Sequence, residues 1–353
     1  MRGRLKPATI KDIAREADVS VASVSRTLNG VGRVGMDTRA RILETAERLR
    51  YIPNEGARSL INRRTEMIGV VLPDLHGEFF SELLRGADAA ARAHGLHLLV
   101  STSHGDPDEA ASAIRSMRGR VDGMLLMSPH LDCEFIARNL VESLPTVLMN
   151  SRPNSDAAQV NVEDYQGAVT MVRHLASVGG PRVAHIAGPA GNYDASERLR
   201  GYLDARPIDP GADYVVAGDF TVESGFAAGQ LLARLDPLPD AIFAGNDMMA
   251  AGCLEAFEQL GIRVPDEIAL GGFDDVPLAH FLRPSLTTMR VNVADMGRQA
   301  LEQLVAALDD PLEARRGGPA ERLVPQLIIR DSCGQSRREP ITPDTNDTSG
   351  RTT

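Results

Sequence analysis

The chain has 353 residues, 43% of them hydrophobic and none of them Trp, with a formal net charge of -10; this length suits two or three domains. No run approaches the ~18 apolar residues of a membrane span, and the basic start Met1 to Pro7 leads into charged helix instead of the apolar core of a signal peptide. A soluble, cytoplasmic protein is expected. The charge is unevenly spread: residues 1–64 hold 14 Lys/Arg against 7 Asp/Glu, and the other 289 hold 24 against 41. A basic head on an acidic body is the layout of a chain that meets nucleic acid at one end. Cys133, Cys253 and Cys333 are odd in number and lack metal-ligand spacing, which fits a reducing compartment and no metal centre.

In chain order, Thr9 is placed to cap a first helix, with Asp12 as the acidic partner of a capping box. Ile10, Ile13, Ala14 and Ala17 share one face. A short turn at Ala17–Val19 leads to Ser20, which can cap a second helix from Val21 to Leu28, stopped by Asn29-Gly30. Val19, Val24 and Leu28 close the core between them. A third helix from about Asp37 carries Ile42, Leu43, Ala46 and Leu49 at helical spacing. This is a helix-turn-helix arrangement, whose second helix enters the DNA major groove by its N-terminal residues. Val21, Ala22 and Ser23 are expected near base edges, Ser25 and Arg26 at bases or phosphates, and Thr9 and Ser20 at phosphates. Pro53 ends the third helix. Asn54 caps a short fourth, Glu55 to about Asn62, which is too brief to hold alone and is weakened further by Gly56.

The motifs TIKDIA, VSVASVSRTLNG, ETAERLRYIPN and ARSL, with a body alike to about Asp331, resemble the lactose-repressor (LacI/GalR) family of transcriptional regulators. The resemblance implies a hinge helix that folds on operator DNA and wedges Leu60 into the minor groove, a known way of kinking a duplex. It also implies DNA contacts from Asn29, Tyr51, Asn54, Ala57 and Arg58.

Beyond the head, apolar runs (MIGVVLP, HLLVSTS, GMLLM, TVLMN, RVAHIAG, YVVAGD, AIFAGN, IALGGFD) alternate with helical stretches such as FFSELLRGADAAARAHG. Such strands form doubly wound parallel sheets, which bind ligands beyond the strand C-terminal ends. No nucleotide-binding glycine loop is present. The polar residues Asp74, Asn150, Asp194, Asp219, Asn246 and Asp274 are expected at strand ends, and Asp247 is expected to cap the helix that follows Asn246.

The resemblance implies two lobes like those of periplasmic sugar-binding proteins, crossed by the chain near residues 160, 290 and 320, with an effector between them. The effector site it implies holds Asp74, Phe79, Asn150, Asp194, Arg198, Phe220, Asn246 and Asp274. Carboxylates and amides answer hydroxyl pairs, Arg forks onto oxygens, and a ring gives an apolar platform; together they suit a polyol or sugar. Phe220 could instead be plain core, and Asp275 a loop or inter-lobe hydrogen-bonding residue.

Two departures from the family pattern stand out. Gly77-Glu78-Phe79-Phe80 replaces an Asn-Pro-Phe-Phe turn, so that Glu78 or His76 either selects a cationic or differently substituted ligand or sits in a solvated loop. The segment after Gly201 is short, which alters a surface loop of the second lobe.

His94, His97, His104 and His130 form no nucleophile–base pattern with a Ser or Cys, so no enzyme and no cofactor is expected. The expected domains are a helix-turn-helix head (1–52), a hinge (53–66), a two-lobed effector-binding and dimerisation body (67–331) and a disordered tail (332–353) without leucine heptads. The expected function is a repressor of carbohydrate uptake or catabolism genes, acting as a homodimer on a palindromic operator and switched by a sugar. A co-repressed, partner-controlled or nucleobase-responsive regulator is the alternative, and a solute-binding protein a remote one.

Overall fold

The structure is a computed structural model that describes residues 8–28, 32–51, 64–140, 143–152, 157–209, 211–310 and 320–334. The chain divides into two units, Met1–Thr65 and Glu66–Thr353.

The first unit is helical. Helix α1 (Ile10–Glu16) opens on a capping box in which Thr9 and Asp12 each satisfy the other's backbone amide. Helix α2 (Val21–Leu28) starts at Ser20, whose Oγ accepts from Ser23 N at 3.1 Å. Helix α3 (Met36–Arg48) closes the bundle, and Arg48 reaches Glu16 of α1 at 2.7 Å. Ile13, Ala14, Ala17, Val24 and Ile42 form the core, with Ile10, Val19, Leu28, Ala46, Leu49 and Tyr51 packed against it. Sequence periodicity puts Leu43 on that core face, but it is 46% exposed. Thr45, which a hydrophobicity pattern skips, is buried in its place because the α3 stripe runs through Ile42, Thr45 and Leu49.

The second unit is α/β. Its elements run β1 (Met67–Leu72), α4 (Glu78–Ala93), β2 (His97–Thr102), α5 (Pro107–Met117), β3 (Gly123–Met127), α6 (Cys133–Asn139), β4 (Thr146–Met149) and β5 (Ala158–Val162). They continue α7 (Asp164–Val178), β6 (Val183–Ala187), α8 (Tyr193–Ala205), β7 (Val215–Ala217), α9 (Val222–Leu232), β8 (Ala241–Ala244), α10 (Asp247–Leu260), β9 (Ala269–Gly271) and α11 (Pro277–Phe281). The last elements are β10 (Thr288–Arg290), α12 (Val293–Asp309), β11 (Ala320–Leu323) and β12 (Gln326–Ile328).

Two parallel sheets result, ordered β11-β5-β4-β3-β1-β2 and β7-β6-β8-β9, with a small antiparallel pair β10-β12. The two lobes repeat one plan. In each, the first strand lies inside, the second outside it, and the third and fourth on its other flank. Each sheet therefore has its switch point between first and third strands, β1/β3 and β6/β8, where open α/β sheets leave a crevice. The chain passes between lobes at Glu163, Val291 and Val324, as the resemblance implies. Strands β5, β10, β11 and β12 are short or polar and carry no apolar run that would announce them.

Glycines set the closest helix contacts. A Cβ at Gly86 of α4 would lie 1.8 Å from Ala294 O of α12, and one at Gly252 of α10 would lie 1.9 Å from Val222 O of α9. The body extends past the expected boundary. Ser332 and Cys333, in the stretch expected to be tail, are buried. The Ser332 hydroxyl donates to Leu270 O (2.6 Å) and accepts from Thr287 N (2.8 Å), pinning that segment to the second sheet.

Candidate functional site

On the head, α2 presents Val21 (43% exposed), Ala22 and Arg26 to solvent, while Val24 and Thr27 face the core. Ser23 and Ser25 are half-buried, and the Ser20 and Ser23 hydroxyls lie 2.9 Å apart. The Thr9 hydroxyl is engaged by Asp12 at 2.7 Å. Tyr51 packs part-buried on the head core. Asn29, Asn54, Ala57, Arg58 and Leu60, with the expected hinge helix, lie outside the described residues.

In the body, a cavity of about 440 Å³ opens between the lobes at both switch points, a size typical of small-molecule sites. The first lobe lines it with Asp74, His76, Phe79, Phe80, His104, Met127, Pro129, His130 and Asn150. The second contributes Asn192, Asp194, Arg198, Asp219, Phe220, Asn246, Asp247 and Asp274. All eight expected effector residues line this one cavity.

Arg198 organises the floor. It is 4% exposed, and its Nε donates to Asp164 (2.7 Å), Nη1 to Gly245 O (2.6 Å) and Nη2 to Asp274 (3.2 Å). Its guanidinium carbon stands 3.8 Å above the centre of the Phe273 ring, a cation–π contact. Burial pushes the Asp274 carboxyl up to about 7 although Arg198 pulls the other way. Burial likewise raises Asp164, against the pull of Arg198. Asp194 rises well above the usual carboxylate range through burial and the nearby Asp164.

Two expectations about local placement are corrected. Asp194 does not end a strand; it lies in the first turn of α8, capped by Asn192, because Gly188–Gly191 forms a loop after β6. Asn246, not Asp247, caps α10: its Oδ1 accepts from Met249 N at 2.9 Å and its Nδ2 donates to Phe220 O at 3.1 Å. Asp247 is instead wholly buried, accepting from Thr288 Oγ1 (2.6 Å) and Val276 N (3.0 Å).

Phe220 both lines the cavity and packs on the second-lobe core. Its φ of 71° is unusual for a non-glycine residue and sets its ring over Gly188, where a Cβ would come within 2.4 Å of it. Asp275 is held by Arg290 and Arg330, both at 2.6 Å.

Glu78 is neither in a solvated loop nor among the lining residues. Its Oε2 accepts from Leu278 N at 2.7 Å, so it ties α4 of the first lobe to α11 of the second. His76 does line the cavity. Sequence reasoning missed Asp164, Asn192 and His130; Asp164 follows a polar strand, and nothing in its local pattern sets it apart from a helix-start aspartate.

Among the described residues no group of His, Cys, Asp or Glu could hold a metal ion, and no helix is long and apolar enough to cross a membrane.

A helical head with an exposed second helix, joined in one chain to a two-lobed α/β body with a polar cleft, defines a DNA-binding regulator with a small-molecule receptor domain. Residues 9–54 match the family described as bacterial regulatory proteins, lacI family, and residues 172–333 match a periplasmic binding protein-like domain. The chain is 33% identical over 302 residues to catabolite control protein A of Priestia megaterium, covering 84% of this chain and 91% of that one. It is 32% identical over 333 residues to the transcriptional repressor CytR of Escherichia coli, covering 92% and 96%. The Lac repressor dimer bound to operator and the anti-inducer ONPF superposes with a TM-score of 0.83 at 25% identity, covering 93% and 99%. The chain belongs to the LacI family of DNA-binding transcriptional repressors.

Proposed function

We propose that this protein represses genes of carbohydrate uptake or catabolism, binding a palindromic operator as a homodimer in the bacterial cytoplasm and switched by a sugar or sugar derivative in the inter-lobe cleft. The observation that carries this reading is the convergence of Arg198, Asp274, Asn246 and Phe220 on one cavity at both switch points. Carboxylate, amide and guanidinium groups answer hydroxyls, and a ring lies beside them. Relatives and neighbours named for carbohydrates support it: a ribose operon repressor of Halalkalibacterium halodurans and a CelR–cellobiose complex.

On DNA, Val21, Ala22 and Ser23 meet base edges and Arg26 pairs with a base or a phosphate, two heads reading half-sites of opposite orientation. The effector acts by binding one lobe arrangement better than the other, since only differential affinity shifts an equilibrium. A second reading, a nucleoside effector, is favoured by the aromatic rings of both lobes. Phe79 and Phe80 on one side and Phe220 on the other would sandwich a planar base, and CytR and PurR repressors are among the relatives.

The test is fluorescence anisotropy of the full-length protein on labelled palindromic duplexes at fixed salt, with sugars, sugar derivatives and nucleosides added to the complex. Release by a sugar supports the first reading, and release by a nucleoside the second. Arg26→Ala should weaken specific binding by about 1–3 kcal/mol if it reads a base. Equal loss on specific and random DNA would make it a phosphate contact.

A further inference from the structure

We propose that His130 is a hydrogen-bond donor on the first lobe's side of the cleft, held by Asn192 of the second lobe in the form that carries its proton on Nδ1. The ligand then sets an acceptor oxygen against that Nδ1. This deepens the effector-site reading above and rests on it.

Asn192 fixes the direction of the bond. Its Oδ1 accepts from Ala195 N at 3.0 Å as the cap of α8, so that end of the amide is the oxygen. The other end, Nδ2, can only donate, and it lies 3.5 Å from His130 Nε2. Nε2 must therefore accept, which leaves the proton of the neutral ring on Nδ1. Burial also disfavours the charged ring. The contact has a neighbour on each side of the cleft: Tyr193 N donates to Pro129 O at 2.9 Å, so two consecutive residues of one lobe meet two of the other.

The remaining edge of the ring is the one left for a ligand. A Cβ at Gly105 would lie 3.7 Å from His130 Cδ2 and 3.9 Å from Nε2. The Cδ2–Nε2 edge is thus taken up by Gly105 and Asn192, and Nδ1 is on the opposite edge. His130, Gly105 and Asn192 all line the cavity. Among the described residues Nδ1 makes no hydrogen bond.

Such a donor both selects and couples. A hydroxyl, a ring oxygen or a carbonyl accepts from Nδ1–H, whereas an ammonium has no lone pair to offer. An acceptor at Nδ1 also makes Nε2 a better acceptor for Asn192, because hydrogen bonds in a chain polarise one another. Ligand and second lobe therefore reinforce each other through one ring. The ligand favours this lobe arrangement over one in which Asn192 has moved away.

The experiment is histidine-ring NMR on the full-length protein, isotope-labelled at histidine nitrogen, at neutral pH. The His130 signals are assigned by their loss in His130→Gln. Long-range proton–nitrogen correlations distinguish a ring nitrogen that carries a proton from one that does not. Wild type is expected to show a protonated Nδ1 and a bare Nε2. Asn192→Asp keeps the cap oxygen of α8 but turns the donor into an acceptor, so Nε2 should become protonated. A protonated Nε2 in wild type, or a ring unchanged by Asn192→Asp, overturns the proposal.

Titration calorimetry with D-ribose, cellobiose and cytidine tests the ligand side. For a compound that binds, His130→Phe should lower affinity about 2- to 10-fold, the worth of one hydrogen bond. His130→Gln, which can both donate and accept, should recover part of that loss. A binder whose affinity His130→Phe leaves unchanged overturns the proposal while keeping the effector site. Failure of all three to bind tells against the effector reading and leaves the ring signals to decide the proposal.

Discussion

The Glu78 carboxylate accepts a hydrogen bond from the Leu278 amide at 2.7 Å, across 200 residues of sequence and from one lobe to the other. Helix α11 has no side-chain cap of its own from Val276, so Glu78 serves as a cap supplied by the opposite lobe. A second tie, Tyr193 N to Pro129 O at 2.9 Å, joins the lobes elsewhere on the cleft rim. Asn192 and His130 also meet across the cleft at 3.5 Å, and a single substitution removes the first of these ties. Glu78→Ala should speed hydrogen exchange at the Leu278 amide by about tenfold or more, the worth of a charge-assisted hydrogen bond. Glu78→Gln, which keeps an acceptor, should recover part of the protection. Unchanged exchange in both variants would mean that the lobes are held by other contacts.

Asp274 links cleft chemistry to pH. Its carboxyl is raised to about 7 in the folded protein, chiefly by burial, from 3.8 in an ordinary setting. A raised carboxyl contributes stability that is fully present below pH ~4 and is lost as pH rises through ~7. The stability of wild type minus that of Asp274→Asn should therefore fall from pH 4 to pH 8, and thermal unfolding midpoints across that range measure it. A flat difference would show that Asp274 is ionised throughout.

His185 runs in the opposite sense. It is fully buried between the rings of Tyr202 (5.0 Å) and Phe243 (4.8 Å), with Nδ1 2.8 Å from Phe243 O. Burial lowers its pKa to about 4. Folding thus favours the neutral ring, and this stability is present above pH ~6.5 and lost as pH falls toward 4. His185→Phe should unfold at a lower pH than wild type in an acid titration followed by circular dichroism, even if it is less stable at neutral pH. Acid midpoints that coincide would place the acid-sensitive group elsewhere.

Gly252 tests the packing of the second lobe. Because a Cβ there would meet the Val222 carbonyl at 1.9 Å, Gly252→Ala must separate α9 from α10, at a cost of about 1–3 kcal/mol or more. An exposed helical Gly→Ala change would stabilise by up to ~1 kcal/mol. Urea unfolding distinguishes the two signs.

Much of this is legible in the sequence alone. The capping box, the turn into Ser20 and the apolar faces of α1 and α2 are local signals, and local physics honours them. So are the near-continuous apolar strands of a sheet covered on both faces. What escaped was settled by distant partners. Asp247 reads as a helix cap, yet Thr288 and Val276 draw its carboxylate inward and leave capping to Asn246. Leu43 lies beside a stripe that tertiary packing runs through Thr45. Glu78 reads as loop because its partner is 200 residues away. The cleft residues were found through motifs, whereas Asp164 and Asn192 have no local signature.

The three crossings between the lobes leave the first lobe discontinuous in sequence. Helix α12 packs on α4 and on strands β3, β4 and β5, and β11 extends the same sheet, yet both follow the strands of the second lobe in the chain. As the chain emerges from the ribosome N-terminus first, the first lobe has five strands in hand but lacks the helix that covers one of their faces. The second lobe's parallel sheet is complete at Gly271, before α12 has been translated. The lobe begun first is therefore the one finished last, and a premature stop before Val293 would strip the cover from Leu125, Val147 and Val160.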